Sequence, residues 1–300
     1  GRLAQAGESV TFIARGSHLQ SMLARGLRVD SQKGDFTINP VRATGNAAEI
    51  GPVDFVIVGL KAWQVEAASR ELKTLVGPGT CVVPLQNGVE TPTILGRILG
   101  EDHVVGGFCR IVSMVAGPGH ISQTAGDAYI AFGELDNRPS ERTRQLLAAF
   151  RRAEGVVAEI PPDIQVAMWS KFLLISSWSG MGAVTRAPVG VWRSIPETRQ
   201  MWHAAMREVL AVARAHDVAL PDDIIARSTT YVVALAPLAT GSMPRGILAG
   251  LPSELGTLCG GVVRLGKAAG VPTPTHTFIY SALLPQERKA RGEVDFPQTP

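Results

Sequence analysis

The chain has 300 residues, 45% of them hydrophobic, which is enough apolar material to core one large or two ordinary globular domains. A net charge of +3 carried by scattered basic residues excludes a nucleic-acid footprint, although it suits a small anionic ligand. The three cysteines, Cys81, Cys109 and Cys259, include no close pair, which excludes a disulfide framework and a CxxC zinc or redox motif.

The sequence opens on "GRLAQAG", a helix tail stopped by Gly7, and enters the apolar strand "SVTFIA" at 9–14. Strand-like runs recur at 53–60 ("VDFVIVGL"), 80–85 ("TCVVPL"), 103–112 ("HVVGGFCRIV") and 128–135 ("AYIAFGEL"). Helical stretches at 64–75 and across "TPTILGRIL" separate the middle runs. Apolar strands alternating with helices predict a parallel sheet with helices on its faces, an α/β domain. From about 140 onward the apolar spacing changes to three and four. Met201, Trp202, Ala205, Met206, Val209, Leu210, Val212 and Ala213 form one helical stripe behind Pro196; Leu255, Leu258, Val262 and Leu265 form another, ended by Gly270 and Pro272. The expected layout is a Rossmann-type α/β domain at 1–160 and an all-α domain at 161–300, joined near "EIPPD" (159–163), with a cleft for ligand between them.

The longest apolar segment, 172–184, falls short of the roughly 20 residues a bilayer requires, and no export signal is evident, so no membrane association and a cytoplasmic location are expected. Exposed-looking Trp and Met positions in the helical half suggest a homodimer. The six histidines lie too far apart to suggest a local metal-ligand set, and no GxSxG elbow points to a hydrolase.

Several polar residues stand out in apolar surroundings. Arg15 ends the first strand, where a guanidinium either caps an exposed edge or binds the 2′-phosphate that distinguishes NADP from NAD. The glycine-rich turn that opens a dinucleotide-binding unit does not appear before that strand. A parallel sheet without its central strand would expose two unpaired edges, so strand and turn are expected upstream of Gly1. Lys61 and the Gln86-Asn87-Gly88 run end two neighbouring strands, where a parallel sheet presents its carboxyl edge to ligand. Each has a plain alternative, a lysine reaching to water or a turn-forming Asn-Gly. Lys171 lies in "MWSKFLLISS"; it either reaches past its apolar neighbours to solvent or, with a lowered pKa, supplies the proton that ketone reduction needs. Ser242 and Glu254 lie in "TGSMPRGILAGLPSELG", with Glu254 expected near a helix start as an ordinary first-turn glutamate or as an acceptor for a substrate hydroxyl.

In this order, "VTFIARGSHL", "VGLKAWQV", "PLQNGVE", "GPGHI", "WSKF", "AVTRAPVG", "SM…SE" and "VVRLGKAAGVPTPTHTFIYSALLP" resemble the ketopantoate reductase (2-dehydropantoate 2-reductase) family over nearly the whole chain. The resemblance implies NADPH-dependent reduction of ketopantoate to pantoate, on the route to pantothenate and coenzyme A. It implies that Arg15 binds the cofactor 2′-phosphate, that Lys61 and Asn87 lie near the nicotinamide and substrate, and that Lys171 is the general acid. Ser242 and Glu254 would hold the substrate carboxylate and hydroxyl. The chain departs from the pattern where family members carry asparagines lining the substrate site: here stand Ile175 and Ser179, and Cys259-Gly260 replaces an Asn-Gly pair. Each lost amide removes hydrogen bonds worth about 0.5–1.5 kcal/mol. The alternatives are therefore a paralogous reductase of another small 2-keto acid and a catalytically silent NADP-binding protein.

Overall fold

The computed structural model describes residues 1–297. They divide into two compact units: the first comprises Gly1–Leu60, Gln64–Gln86 and Thr91–Ile164, and the second Lys61–Trp63, Asn87–Glu90 and the chain from Gln165 onward.

The first unit begins with α1 (Arg2–Gln5), β1 (Phe12–Ile13), α2 (Gly16–Arg25), β2 (Leu27–Ser31), β3 (Phe36–Ile38), β4 (Ala43–Thr44) and β5 (Phe55–Val58). It continues through α3 (Ala62–Leu72, whose first residues group with the second unit), β6 (Cys81–Pro84), α4 (Thr91–Leu99), β7 (Gly106–Gly117), β8 (His120–Gly133), α5 (Glu141–Arg152) and β9 (Val156–Glu159). β1 pairs with β4 and β5 with β6, both in parallel; a parallel bridge from Val82 to Val104 extends β6. Alternate side chains of β6 enter opposite cores, as a period of two requires. Val82 joins Val56, Val58, Val65 and Leu95, whereas Cys81 and Val83 join Phe132, Leu146 and Phe150.

The stretches 103–112 and 128–135, expected as separate parallel strands, are arms of one long antiparallel hairpin, β7 with β8. A parallel return needs a crossover of a dozen or more residues. Here the strands run on toward each other and meet in a tight corner at Gly119, φ +71. β2 and β9 add to β8 in parallel, and β3 to β2 antiparallel. The short β2, β3, β4 and β9 carry too few apolar residues to announce themselves by periodicity.

The second unit is helical: α6 (Ile164–Thr185), α7 (Val189–Trp192), α8 (Pro196–Ala215), α9 (Ile224–Ala234), α10 (Ser242–Leu248), α11 (Cys259–Ala268) and α12 (Pro274–Ala290). α6 is apolar almost all round, as a helix at the centre of a bundle must be. Phe172, Leu173 and Met181 from α6 pack with Trp202, Met206, Val209 and Val212 of α8. Trp192 meets Trp202 edge to face at 5.3 Å. Of the Trp and Met residues of this unit, Trp192, Trp202, Met206 and Met243 are each at most 1% exposed. They fill this unit's own core and give no argument for a dimer face. Among the described residues no helix is long and apolar enough to cross a membrane.

Candidate active site

Arg15 follows β1 and is the N-cap residue of α2. Its guanidinium does not cap a strand edge; Nη2 donates to both carboxylate oxygens of Glu71, at 2.7 and 2.6 Å. Both side chains remain more than half exposed, so an anion can still approach the arginine. Gly16 after β1 and Gly59 after β5 have nothing within 4 Å of where a Cβ would stand, leaving the backbone at both strand ends open to a bulky ligand. Gln86, just after β6, ties the end of that strand to the end of β5, its Nε2 donating to the Val58 carbonyl at 2.6 Å and the Leu60 carbonyl at 3.0 Å. Its Oε1 is buried without a partner among the described residues. These strand ends fit a nucleotide cofactor in charge and space, and the exposed Arg15 guanidinium is a group that could hold a phosphate.

The remaining sequence-predicted residues, Lys61, Asn87, Lys171, Ser179, Ser242 and Glu254, all group in the second unit. Lys61 is exposed and stands immediately before α3. Asn87 Nδ2 donates to Glu254 Oε2 at 2.8 Å, joining residues 167 positions apart. Glu254 is only 5% exposed. It does not occupy the first turn of α11, as expected, but the turn before it, where its carbonyl accepts from the Thr257 and Leu258 amides at 3.1 and 2.8 Å. The amide of Asn87, not a helix terminus, is what holds its carboxylate.

Two features bring the 87–90 segment onto that turn. Gly88 has φ +90, and a Cβ there would lie 2.7 Å from Thr257 Cγ2; only glycine allows this approach. Arg264 of α11 then bridges the two, donating from Nη2 to Glu90 Oε2 at 2.6 Å and to the Gly256 carbonyl at 3.0 Å.

Lys171, Ile175 and Ser179 recur at four-residue spacing on α6 and so lie along one side of it. Phe172, next to Lys171, has a ring carbon 3.4 Å from where a Cβ of Gly261 would stand, and Glu90 Oε2 is 3.1 Å from the same point. The turn of α6 that carries Lys171 is thus close to the 87–90 segment. Ser179 is buried, with its hydroxyl 2.9 Å from the Cβ position of Gly241, the N-cap residue before Ser242. Ser242 itself is exposed at the start of α10. Ile175 packs against the helical core. Cys259 is fully buried, its Sγ donating weakly to the Ser176 carbonyl at 3.9 Å, and burial pushes its thiol pKa up to about 12. Cys259 therefore packs α11 onto α6.

Sequence reasoning missed the groups that support these residues: Glu71, Glu90 with Arg264, and a buried cluster of Ser253, Glu287 and Arg291. Only the last left a trace, Glu287 and Arg291 at helical i, i+4 spacing, which reads as an ordinary surface pair.

Comparison with known proteins matches residues 1–137 to the family model described as ketopantoate reductase PanE/ApbA, and residues 163–287 to its C-terminal counterpart. A 2-dehydropantoate 2-reductase of Nostoc is 28% identical, over 94% of this chain and 89% of its own. An uncharacterized oxidoreductase of Bacillus subtilis, YkpB, is 26% identical over 94% and 92%. The crystal structure of a PanE/ApbA family ketopantoate reductase from Ralstonia eutropha superimposes with a TM-score of 0.86 at 29% identity, covering 97% of this chain and 94% of that one. With both family models matched in order and the Rossmann-like and helical parts in the places they require, this chain belongs to the ketopantoate reductase family of NAD(P)H-dependent oxidoreductases.

Proposed function

We propose that the chain reduces a small 2-keto acid, 2-dehydropantoate foremost, to its 2-hydroxy acid with NADPH. The observation that carries this reading is the Asn87–Glu254 pair: a buried carboxylate held by one amide donor, with the turn of α6 that carries Lys171 close to the 87–90 segment. A carboxylate so placed accepts a hydrogen bond from a substrate hydroxyl, a group that 2-dehydropantoate possesses and simpler 2-keto acids lack. Ser242, exposed at its helix start, binds the substrate carboxylate, and Ser179 adds a hydroxyl beside it. When bound, the nicotinamide supplies the hydride that the keto carbon receives. Lys171 is the general acid, donating a proton to the keto oxygen as negative charge develops there. Lys61 and Asn87 orient the nicotinamide end of the cofactor, and Arg15 binds its 2′-phosphate, favouring NADPH over NADH.

A second reading, a paralogous reductase of a more apolar 2-keto acid, draws on Ile175, which puts a hydrocarbon at a position where family members carry an amide. The test is a fluorescence titration with NADPH and NADH side by side, followed by turnover of 2-dehydropantoate against a panel of other 2-keto acids. Tighter NADPH binding with 2-dehydropantoate the best substrate is expected. Preference for another 2-keto acid selects the paralogue, and NADPH binding without turnover of any selects a silent binding protein.

A further inference from the structure

The turn that carries Glu254 is held by a side chain that has no place in the proposed chemistry. Glu287, near the end of α12, is 4% exposed. Both its carboxylate oxygens accept from the Ser253 backbone amide at 3.1 Å, and Oε2 also accepts from the Ser253 hydroxyl at 2.5 Å. Arg291 neutralises it, donating from Nε to Oε1 at 2.8 Å, and reaches with Nη2 to the Ser253 carbonyl at 3.1 Å. The Ser253 hydroxyl in turn accepts from the Leu255 amide at 3.2 Å. The residues before and after Glu254 are thus bound directly or through one hydroxyl to a single buried carboxylate. The same Arg291 guanidinium lies 4.9 Å from the ring centroid of Trp63, two residues beyond Lys61.

We propose that Glu287 is a positioning residue: with Ser253 and Arg291 it sets the direction in which Glu254 presents its carboxylate to the substrate hydroxyl. This rests on the reading of Glu254 as a substrate-binding group. A buried carboxylate accepting several hydrogen bonds has few alternative arrangements, so the backbone at 253–255 is fixed before substrate arrives. A turn tethered only by its own carbonyls would let Glu254 swing away from Asn87. Glu287→Gln replaces one acceptor by a donor that faces the Ser253 amide in either orientation, and removes the charge that Arg291 neutralises, and so breaks the arrangement at nearly constant volume.

The experiment measures kcat, KM for 2-dehydropantoate and Kd for NADPH in the wild type, Glu287→Gln, Glu254→Gln and the double variant. The clamp predicts that Glu287→Gln raises the substrate KM about tenfold with NADPH binding unchanged. It also predicts that adding Glu287→Gln to Glu254→Gln costs little more, because the first acts through the second. A purely structural role would instead lower the folded fraction, seen in kcat alone, or add its full effect to that of Glu254→Gln. Should Glu287→Gln not fold, Ser253→Ala removes only the hydroxyl link and is expected to show the same pattern more weakly. A folded Glu287→Gln with wild-type KM, alongside an impaired Glu254→Gln, overturns the clamp while leaving the substrate site standing. A Glu254→Gln variant with unchanged KM, or a wild type inert towards 2-dehydropantoate, overturns the substrate site and the clamp with it.

Discussion

Lys171 and the thiols make opposite demands on their surroundings. In its proposed role as general acid, Lys171 exchanges a proton with the substrate, and Lys171→Ala is then expected to lower kcat by about 10²–10⁴-fold with NADPH binding retained, in a steady-state assay paired with a cofactor titration. Cys81 and Cys259 are the reverse case: burial pushes their thiols up to about 11 and about 12, so little thiolate forms near neutral pH. Thiol reagents at pH 8 are expected to leave both unlabelled until the chain is unfolded, as peptide mapping would report. The Arg15–Glu71 pair is exposed and so contributes little to stability, but under the proposed role of Arg15 its carboxylate partner competes with an incoming phosphate. Glu71→Gln is expected to tighten NADPH about two- to fivefold, the equivalent of about 0.5–1 kcal/mol, and to leave NADH unchanged in the same titration.

At the scale of elements, α12 depends on a partner from α8. Glu208 accepts from the Thr275 and His276 amides at 2.6 and 3.0 Å and from His276 Nδ1 at 2.8 Å, which satisfies donors that the start of a helix leaves open. Burial pushes the Glu208 pKa up, but the hydrogen bonds from His276 and Thr275 outweigh it and hold the carboxyl below its ordinary value of 4.5. A carboxylate depressed in the folded state stabilises fully above its unfolded pKa, and that contribution is lost as pH falls through the folded one. Glu208→Gln is expected to cost about 1–3 kcal/mol at neutral pH and to flatten the acid-side loss of stability, measured by urea unfolding between neutral pH and the acid limit of the fold. That capping role was illegible in the sequence, because residues 208 and 275 lie on different helices, 67 positions apart, and nothing local links them. The helices themselves were legible: the 3.6-residue stripe behind Pro196 is α8, which runs to Ala215.

Across the whole molecule, the two units keep separate cores. The core of the second, built on Trp192, Trp202, Phe172 and Met206, concentrates its largest side chains where α6, α7 and α8 meet. Trp202 is fully buried, and its Nε1 donates to the Ser177 hydroxyl at 3.3 Å, so Trp202→Ala removes both volume and a hydrogen bond. The expected loss is about 3–5 kcal/mol in denaturant unfolding.

Sequence alone determined whatever rests on neighbours along the chain: the α/β-then-α order, the two-sided burial of β6, the α8 stripe and the polar residues at strand ends. Periods of two and three to four residues are properties of a single segment and can be read without its partners. Tertiary structure decided the direction of the β7–β8 return, the burial of Trp192 and Trp202, and every polar pairing at the candidate site. Asn87 meets Glu254, Glu90 meets Arg264, and Ser253 meets Glu287 across long separations in the chain. A polar side chain chooses its partner by which donors and acceptors packing has already removed from water, and that choice does not exist until the helices are assembled.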